Sequence, residues 1–249
     1  MPTLINNVDI NAKGIYLAKR GAEELVTLPS LSKAETNDWQ ELDGVQVDFS
    51  TVERTNPEVV VRYVVTSLSA RTDLERYHKA DHITLAPHGW GRTFTLRRPR
   101  PDSCKMYGKV GGEMALEISY RYELDDLPSE RVEGGVDPLP LRSQYKLGGA
   151  QFSQFGVAVN SVDMLFSPDG YKDLTFTRQG REVQLQCILL ASSWSRLWAN
   201  RSALWQALQG ELSLTTPLGM LRARYLSCAT TKQIGKSPLI SITLNIQLI

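Results

Sequence analysis

Glu58-Val59-Val60-Val61-Arg62-Tyr63-Val64-Val65 and Glu182-Val183-Gln184-Leu185-Gln186-Cys187-Ile188-Leu189 are two strand-like runs that decide how this 249-residue chain is organised. They lie 124 residues apart, and the same offset separates Cys104 from Cys228 and Ile118 from Ile242. One offset shared by three separated segments points to two copies of a domain-sized unit, because self-similarity at a fixed spacing is the mark of a repeated architecture. Side chains alternate along extended backbone, so Val59, Val61, Tyr63 and Val65 share one face, as do Val183, Leu185, Cys187 and Leu189. Arg62, Gln184 and Gln186 take the opposite faces, which leaves at least the second strand half-exposed.

Working outward, each copy opens with a short apolar segment holding a glycine, Lys13-Gly14-Ile15-Tyr16-Leu17 and Phe155-Gly156-Val157-Ala158-Val159. After the strand comes a helix. In the second copy Trp194, Leu197, Trp198, Leu204, Trp205 and Leu208 fall on one helical face, and Gly210 is the expected stop. The first copy offers a shorter, more polar stretch, Asp73 to Lys79, with Leu74 and Tyr77 as its apolar positions. Each helix is expected to lead into a Pro-x-Gly turn, Pro87-His88-Gly89 or Pro217-Leu218-Gly219, then a strand, a connection and a final strand. The final strands alternate: Leu116, Ile118, Tyr120, Tyr122 and Leu124 match Ile240, Ile242, Leu244, Ile246 and Leu248. The turns are 130 residues apart, not 124, which predicts six more residues in the second helix and six more in the first copy's hairpin before Cys104. Arg97-Arg98-Pro99-Arg100-Pro101 are placed among those added residues.

The expected fold class is therefore α+β, mostly β, with domains at residues 1–124 and 150–249, each with one flanking helix. Between them, residues 125–149 are rich in proline and glycine without a sustained apolar period, as in a linker. Val136, Leu139, Leu141, Tyr145 and Leu147 would equally anchor an ordered, partner-bound arm.

A hydrophobic share of 42% and a net charge of +1 describe a globular chain. They argue against a dedicated nucleic-acid binder, which would carry an excess or a long stripe of basic residues. No apolar run approaches a membrane-spanning length, and the polar start through Asn6-Asn7-Val8-Asp9 lacks a signal-peptide core, so synthesis in the bacterial cytoplasm without membrane insertion is expected. Three cysteines, an odd number in or beside strands, do not form a disulfide framework. Cys104 and Cys228 are expected at equivalent places in two separate cores.

Candidate chemistry is sparse. His78 and His82 are four residues apart, with His88 close behind, the spacing of two metal ligands on one helix face. Lys79 stands where a His-Glu-x-x-His motif needs its glutamate, and the second copy has no matching histidines, so solvent-exposed helix histidines are expected instead. Arg97, Arg98 and Arg100 form the densest basic run, with Arg92 upstream; the readings are contact with a phosphate or an acidic partner surface, or a solvated hairpin tip. Trp194, Trp198 and Trp205 share their face with leucines and are expected to pack on a sheet. Glu41-Leu42-Asp43-Gly44-Val45-Gln46-Val47-Asp48 reads as a turn at Asp43-Gly44 entering a strand. No nucleophile elbow, P-loop or dinucleotide fingerprint occurs, so neither an enzyme nor a bound cofactor or metal is expected.

The order strand, helix, Pro-x-Gly turn, hairpin and alternating final strand, present twice, resembles the tail-tube fold of bacteriophage tails, a β-sandwich or split barrel flanked by one helix. Asn7-Val8-Asp9-Ile10, Gly14-Ile15-Tyr16 and Trp39-Gln40-Glu41-Leu42-Asp43-Gly44-Val45-Gln46-Val47-Asp48 are similar to the start of distal tail and baseplate proteins. In the second copy Tyr171-Lys172-Asp173-Leu174 is the nearest counterpart of the Trp…Asp-Gly turn. The resemblance implies a structural protein of a virion tail, from a phage or prophage, joining tail tube to tip as a ring. Its partners would be itself, as a homotrimer with pseudo-six-fold symmetry or a homohexamer, and other tail proteins. The competing class is a receptor- or carbohydrate-binding β-sandwich module, for which an exposed Trp39 or Trp90 would supply the contact surface.

Overall fold

The computed structural model describes residues 2–32, 35–37, 46–48, 52–110, 112–125, 150–152, 157–159, 162–163, 182–191, 193–216, 219–233 and 238–248. In chain order, β1 (Leu4–Ile5), β2 (Val8–Asp9) and β3 (Ile15–Leu17) precede four short strands, β4 (Ser30–Leu31), β5 (Glu35–Asn37), β6 (Gln46–Asp48) and β7 (Arg54–Thr55). Then come β8 (Glu58–Val65), α1 (Leu68–Tyr77), β9 (His82–Ala86), β10 (Phe94–Val110) and β11 (Glu113–Leu124). The second half holds β12 (Ala150–Phe152), β13 (Val157–Val159), β14 (Val162–Asp163), β15 (Glu182–Leu190), α2 (Trp194–Leu208), β16 (Glu211–Thr216), β17 (Gly219–Gln233) and β18 (Leu239–Leu248). Strand outweighs helix, as the alternating sequence predicts.

Backbone contacts divide the chain into two units, 1–27 with 56–127, and 28–55 with 128–249. Residues 28–55 thus group with the second unit, not with the first half where sequence order places them. The Tyr225 hydroxyl donates to the Pro29 carbonyl at 2.8 Å, and β4 lies against β17. The linker of 125–149, beyond Asp125, lies outside the described residues, as do Trp39, Asp43-Gly44 and 171–174.

The first unit is one sheet in the order β2-β1-β9-β10-β11-β8-β3, and the second unit's large sheet runs β13-β12-β16-β17-β18-β15-β14. Position for position these are the same order. The central pairs also share a register: Tyr63 stands opposite Ile118 and Cys187 opposite Ile242, both related by 124 residues. The alternation read from sequence is the burial pattern: Val59, Val61, Tyr63, Val65, Ile118, Tyr120, Tyr122 and Leu124 are buried, and Ile240, Ile242, Leu244 and Ile246 likewise. In each unit a helix follows the long edge-to-centre strand and starts on a serine: Ser67 Oγ accepts from Ala70 N at 3.1 Å and Ser193 Oγ from Arg196 N at 3.3 Å.

Four expectations change. A strand stands between each helix and its Pro-x-Gly segment, β9 before Pro87 and β16 before Pro217. These strands are five and six residues long, too short for alternation to stand out from the flanking turn residues. Val157–Val159 pairs with β12 as β2 pairs with β1, so it matches Val8–Asp9 and not the Gly14 segment; β14 holds the place of β3. Cys104 faces Ile118 whereas Cys228 faces Leu244, so the cysteines are not equivalent, and Cys104 is exposed. Finally, Arg97-Arg98-Pro99-Arg100-Pro101 are part of β10 and not extra residues at a tip. Arg97 faces Glu123 and His82, and Arg224 faces Gln247 and Glu211, an equivalence at offset 127 that still holds at Cys104 and Thr231, facing Ile118 and Ile242. The added length therefore lies before Phe94 and after Cys104.

At Gly21 the chain passes close to β8. Gly21 O accepts from Arg62 N at 2.9 Å, and a Cβ there would lie 2.4 Å from the Arg62 carbonyl oxygen. Backbone cannot yield as a flexible side chain does, so Gly21→Ala is expected to destabilise the first unit by roughly 1–3 kcal/mol. A urea melt of the variant checks this, and an unchanged midpoint would refute it.

Candidate functional site

The three histidines separate in space. α1 ends at Tyr77, so His78 caps the helix, while His82 opens β9 and His88 lies in the loop that follows. His78 is only 8% exposed, contrary to the solvent-exposed reading. Its Nδ1–H donates to the Leu74 carbonyl at 2.6 Å, so Nε2 accepts from the Tyr122 hydroxyl, which is 3.2 Å from the Tyr63 hydroxyl. The imidazole stacks on Tyr120 at 3.8 Å between centroids. Burial lowers the His78 pKa to about 4 and raises those of Tyr63 and Tyr122, so all three are neutral at pH 7. This network ties α1 to the sheet. Among the described residues no group of histidine, cysteine or carboxylate side chains is arranged to hold a metal ion.

The arginine run lies on the sheet face turned away from α1. Arg97 pairs with Asp125 at 2.5 Å, Arg98 with Glu123 at 3.4 Å and Arg100 with Glu58 at 2.7 Å. Arg121, opposite Arg100, bridges to Glu58 and Asp102. Four guanidinium groups thus meet four carboxylates across β10, β11 and β8, a ladder with no net charge. Such exposed pairs contribute little to stability, about 0.2–1 kcal/mol each, but they cancel the field that would draw a phosphate. Arg98 takes a left-handed backbone, φ 50°, and its N–H donates to Asp81 O at 2.7 Å, which ends the pairing of β10 with β9. The sequence run looked bare because the carboxylates that answer it come from other strands.

Both long hairpins outrun their neighbours. β9 pairs with β10 only through Phe94–Arg97, and β16 pairs with β17 only through Gly219–Arg224. From Arg98 to Val110 and from Tyr225 to Gln233 the outer edges have no strand partner among the described residues. Pro99, Pro101 and three register shifts interrupt the first edge, and two shifts interrupt the second. Prolines and bulges on an open edge discourage indiscriminate pairing and leave a shaped surface. The first hairpin also carries exposed apolar side chains, Met106, Tyr107 and Met114.

Where this hairpin overhangs β3 lies a cleft of about 530 Å³, lined by Tyr16, Leu17, Ala18, Lys19, Val64, Thr66, Tyr107 and Glu113. Its presence depends on β11 continuing past the end of β8, since Val65 faces Leu116 and Glu113 to Ala115 extend beyond. Sequence reading missed it, because its walls come from three separated segments. The tryptophans behave as core: Trp198 and Trp205 are buried, Trp194 stacks on Trp198 at 5.8 Å, and Trp90 is buried edge-on against Phe94, so Trp90 offers no open contact surface. Among the described residues no helix is long and apolar enough to cross a membrane. Neither protein-family models nor curated proteins give a match to the chain.

Proposed function

We propose that this chain is a structural component of a phage or prophage-derived tail, a ring-forming distal tail or baseplate hub protein built from two tail-tube-like units, with no catalytic role. One observation carries the reading: two sheets in the same strand order, each extended by a hairpin whose outer strand runs past its sheet neighbour and has no further strand paired to it among the described residues. A chain with two equivalent units forms a pseudo-six-fold ring from three copies, or a larger ring from six. Strand edges left open within one chain are satisfied by a neighbour, and a closed ring leaves none over, whereas an open arrangement would grow into fibres. The neutral arginine ladder suits a protein contact or a solvated wall better than a phosphate site.

The test is light scattering and negative-stain microscopy of the purified chain, alone and mixed with tube and tip proteins of the same tail. Rings of three or six copies are the expected result. A monomer at every concentration and in every mixture overturns the proposal.

A further inference from the structure

We propose that the cleft between β3 and the β10–β11 hairpin binds a short saccharide. Two tyrosine rings approach it from different elements, Tyr16 from β3 and Tyr107 from the hairpin, 44% and 53% exposed. Neither ring contacts another aromatic ring among the described residues, whereas Tyr63, Tyr120 and Tyr122 pack together on the other face of the sheet. Small side chains make the floor: Ala18, Val64 and Ala115 are buried side by side, so the space above them is not filled from within. Lys19 and Glu113 stand at the cleft without an ion pair among the described residues, in contrast to the fully paired arginine ladder on the same sheet.

These are the components of sugar recognition. An aromatic face takes up the C–H surface of a pyranose ring, while a carboxylate accepts from its hydroxyls and an ammonium and phenol hydroxyls donate. The volume is within the range of small-molecule sites, and polar groups converge on an apolar floor. An added peptide strand fits less well. Thr66 N donates to Gly14 O and Ala18 N to Arg62 O, which sets the phase of β3 so that Tyr16 spends its backbone groups on β8. Ile15 N already donates to Ile10 O, leaving the Ile15 carbonyl and the Leu17 N–H and carbonyl turned outward. Three backbone groups over so short a strand are too few for strand addition to dominate. Recognition at this cleft therefore falls to side chains.

The experiment uses the full chain, in whatever oligomeric state it takes, on a printed array of neutral, N-acetylated and acidic oligosaccharides, with Tyr16→Ala, Tyr107→Ala, Tyr107→Trp and Glu113→Gln beside the wild type. Selective binding is expected, weakened at least about tenfold by either tyrosine-to-alanine change and retained by Tyr107→Trp. Thermal melts of each variant show whether a loss of binding reflects unfolding, and Tyr107→Trp keeps a ring in place even if alanine disturbs the hairpin. The proposal is overturned if no saccharide is retained, if Tyr107→Ala binds as well as wild type, or if the cleft variants alter only self-association. Because the oligomeric state is measured separately, failure here leaves the ring proposal standing, and failure of the ring leaves this one standing.

Discussion

Trp205→Ala is expected to lower the stability of the second unit by about 3–5 kcal/mol, the largest effect of any single substitution considered for this protein. Trp205 is buried on the inner face of α2 and meets Tyr225 edge-to-face, with centroids 6.0 Å apart and the rings at 86°. Alanine removes the transfer free energy of the indole, leaves a cavity beside Leu204 and Leu208, and forfeits the ring contact, itself about 0.5–1.5 kcal/mol. Against a typical domain stability of about 5–15 kcal/mol the loss is large enough to populate unfolded forms. Hydrogen exchange locates it: amides of α2 and of β15 to β18 should lose protection while those of β8 to β11 keep most of theirs. Trp205→Phe, which retains a ring, should recover much of the difference. A loss below about 1 kcal/mol for alanine would mean that this helix face does not hold the sheet.

Acidification is the second large effect, and it acts on the first unit through His78. Its folded pKa of about 4 lies below the ordinary value of 6.5, because burial disfavours the imidazolium. Between those values the unfolded chain binds a proton that the folded chain does not, so stability is full above about pH 6.5 and declines as the pH falls toward 4. The difference amounts to roughly 3 kcal/mol for this one group. In structural terms, protonation places a second N–H on the ring where Nε2 now accepts from Tyr122, and it charges an imidazole enclosed by Tyr63, Tyr120, Tyr122 and the end of α1. Urea titrations at a series of pH values should show this slope in wild type and not in His78→Gln, which cannot titrate. Both proteins will share the losses due to carboxylates, such as Glu211, whose pairing with Arg222 lowers its pKa. If the two proteins lose stability in parallel from pH 6.5 to 4, His78 is not the buried neutral group described here.

Much of the fold was legible in the chain because it rests on local periodicity. The alternation at Val59 to Val65 and Leu116 to Leu124 names the buried face of the first sheet without reference to anything distant. The spacing of Leu197, Trp198, Leu204, Trp205 and Leu208 does the same for α2. Even the offset of 124 reappears as a shared pairing register between β8 and β11 and between β15 and β18. The signal failed where the two halves differ in length. β10 and β17 carry matching bulges, but added residues before Phe94 and after Cys104 set these two strands 127 residues apart and not 124, so equal sequence spacing no longer means equal position and the two cysteines part company.

What the sequence by itself determined, then, is which residues face inward and in what order the strands and helices follow one another, since both depend on side-chain periodicity and on turn chemistry between neighbours. Only the tertiary structure decided what meets across the sheet. It brought Glu58, Glu123 and Asp125 to the arginine run, turned His78 from a helix-surface residue into the centre of a tyrosine network, and assembled a cleft from residues 16–19, 64–66 and the hairpin tip. The physical reason is that charge pairing, burial and cavity shape depend on distances between segments far apart in the chain, and those distances are set by strand register and bulges, not by spacing along the sequence.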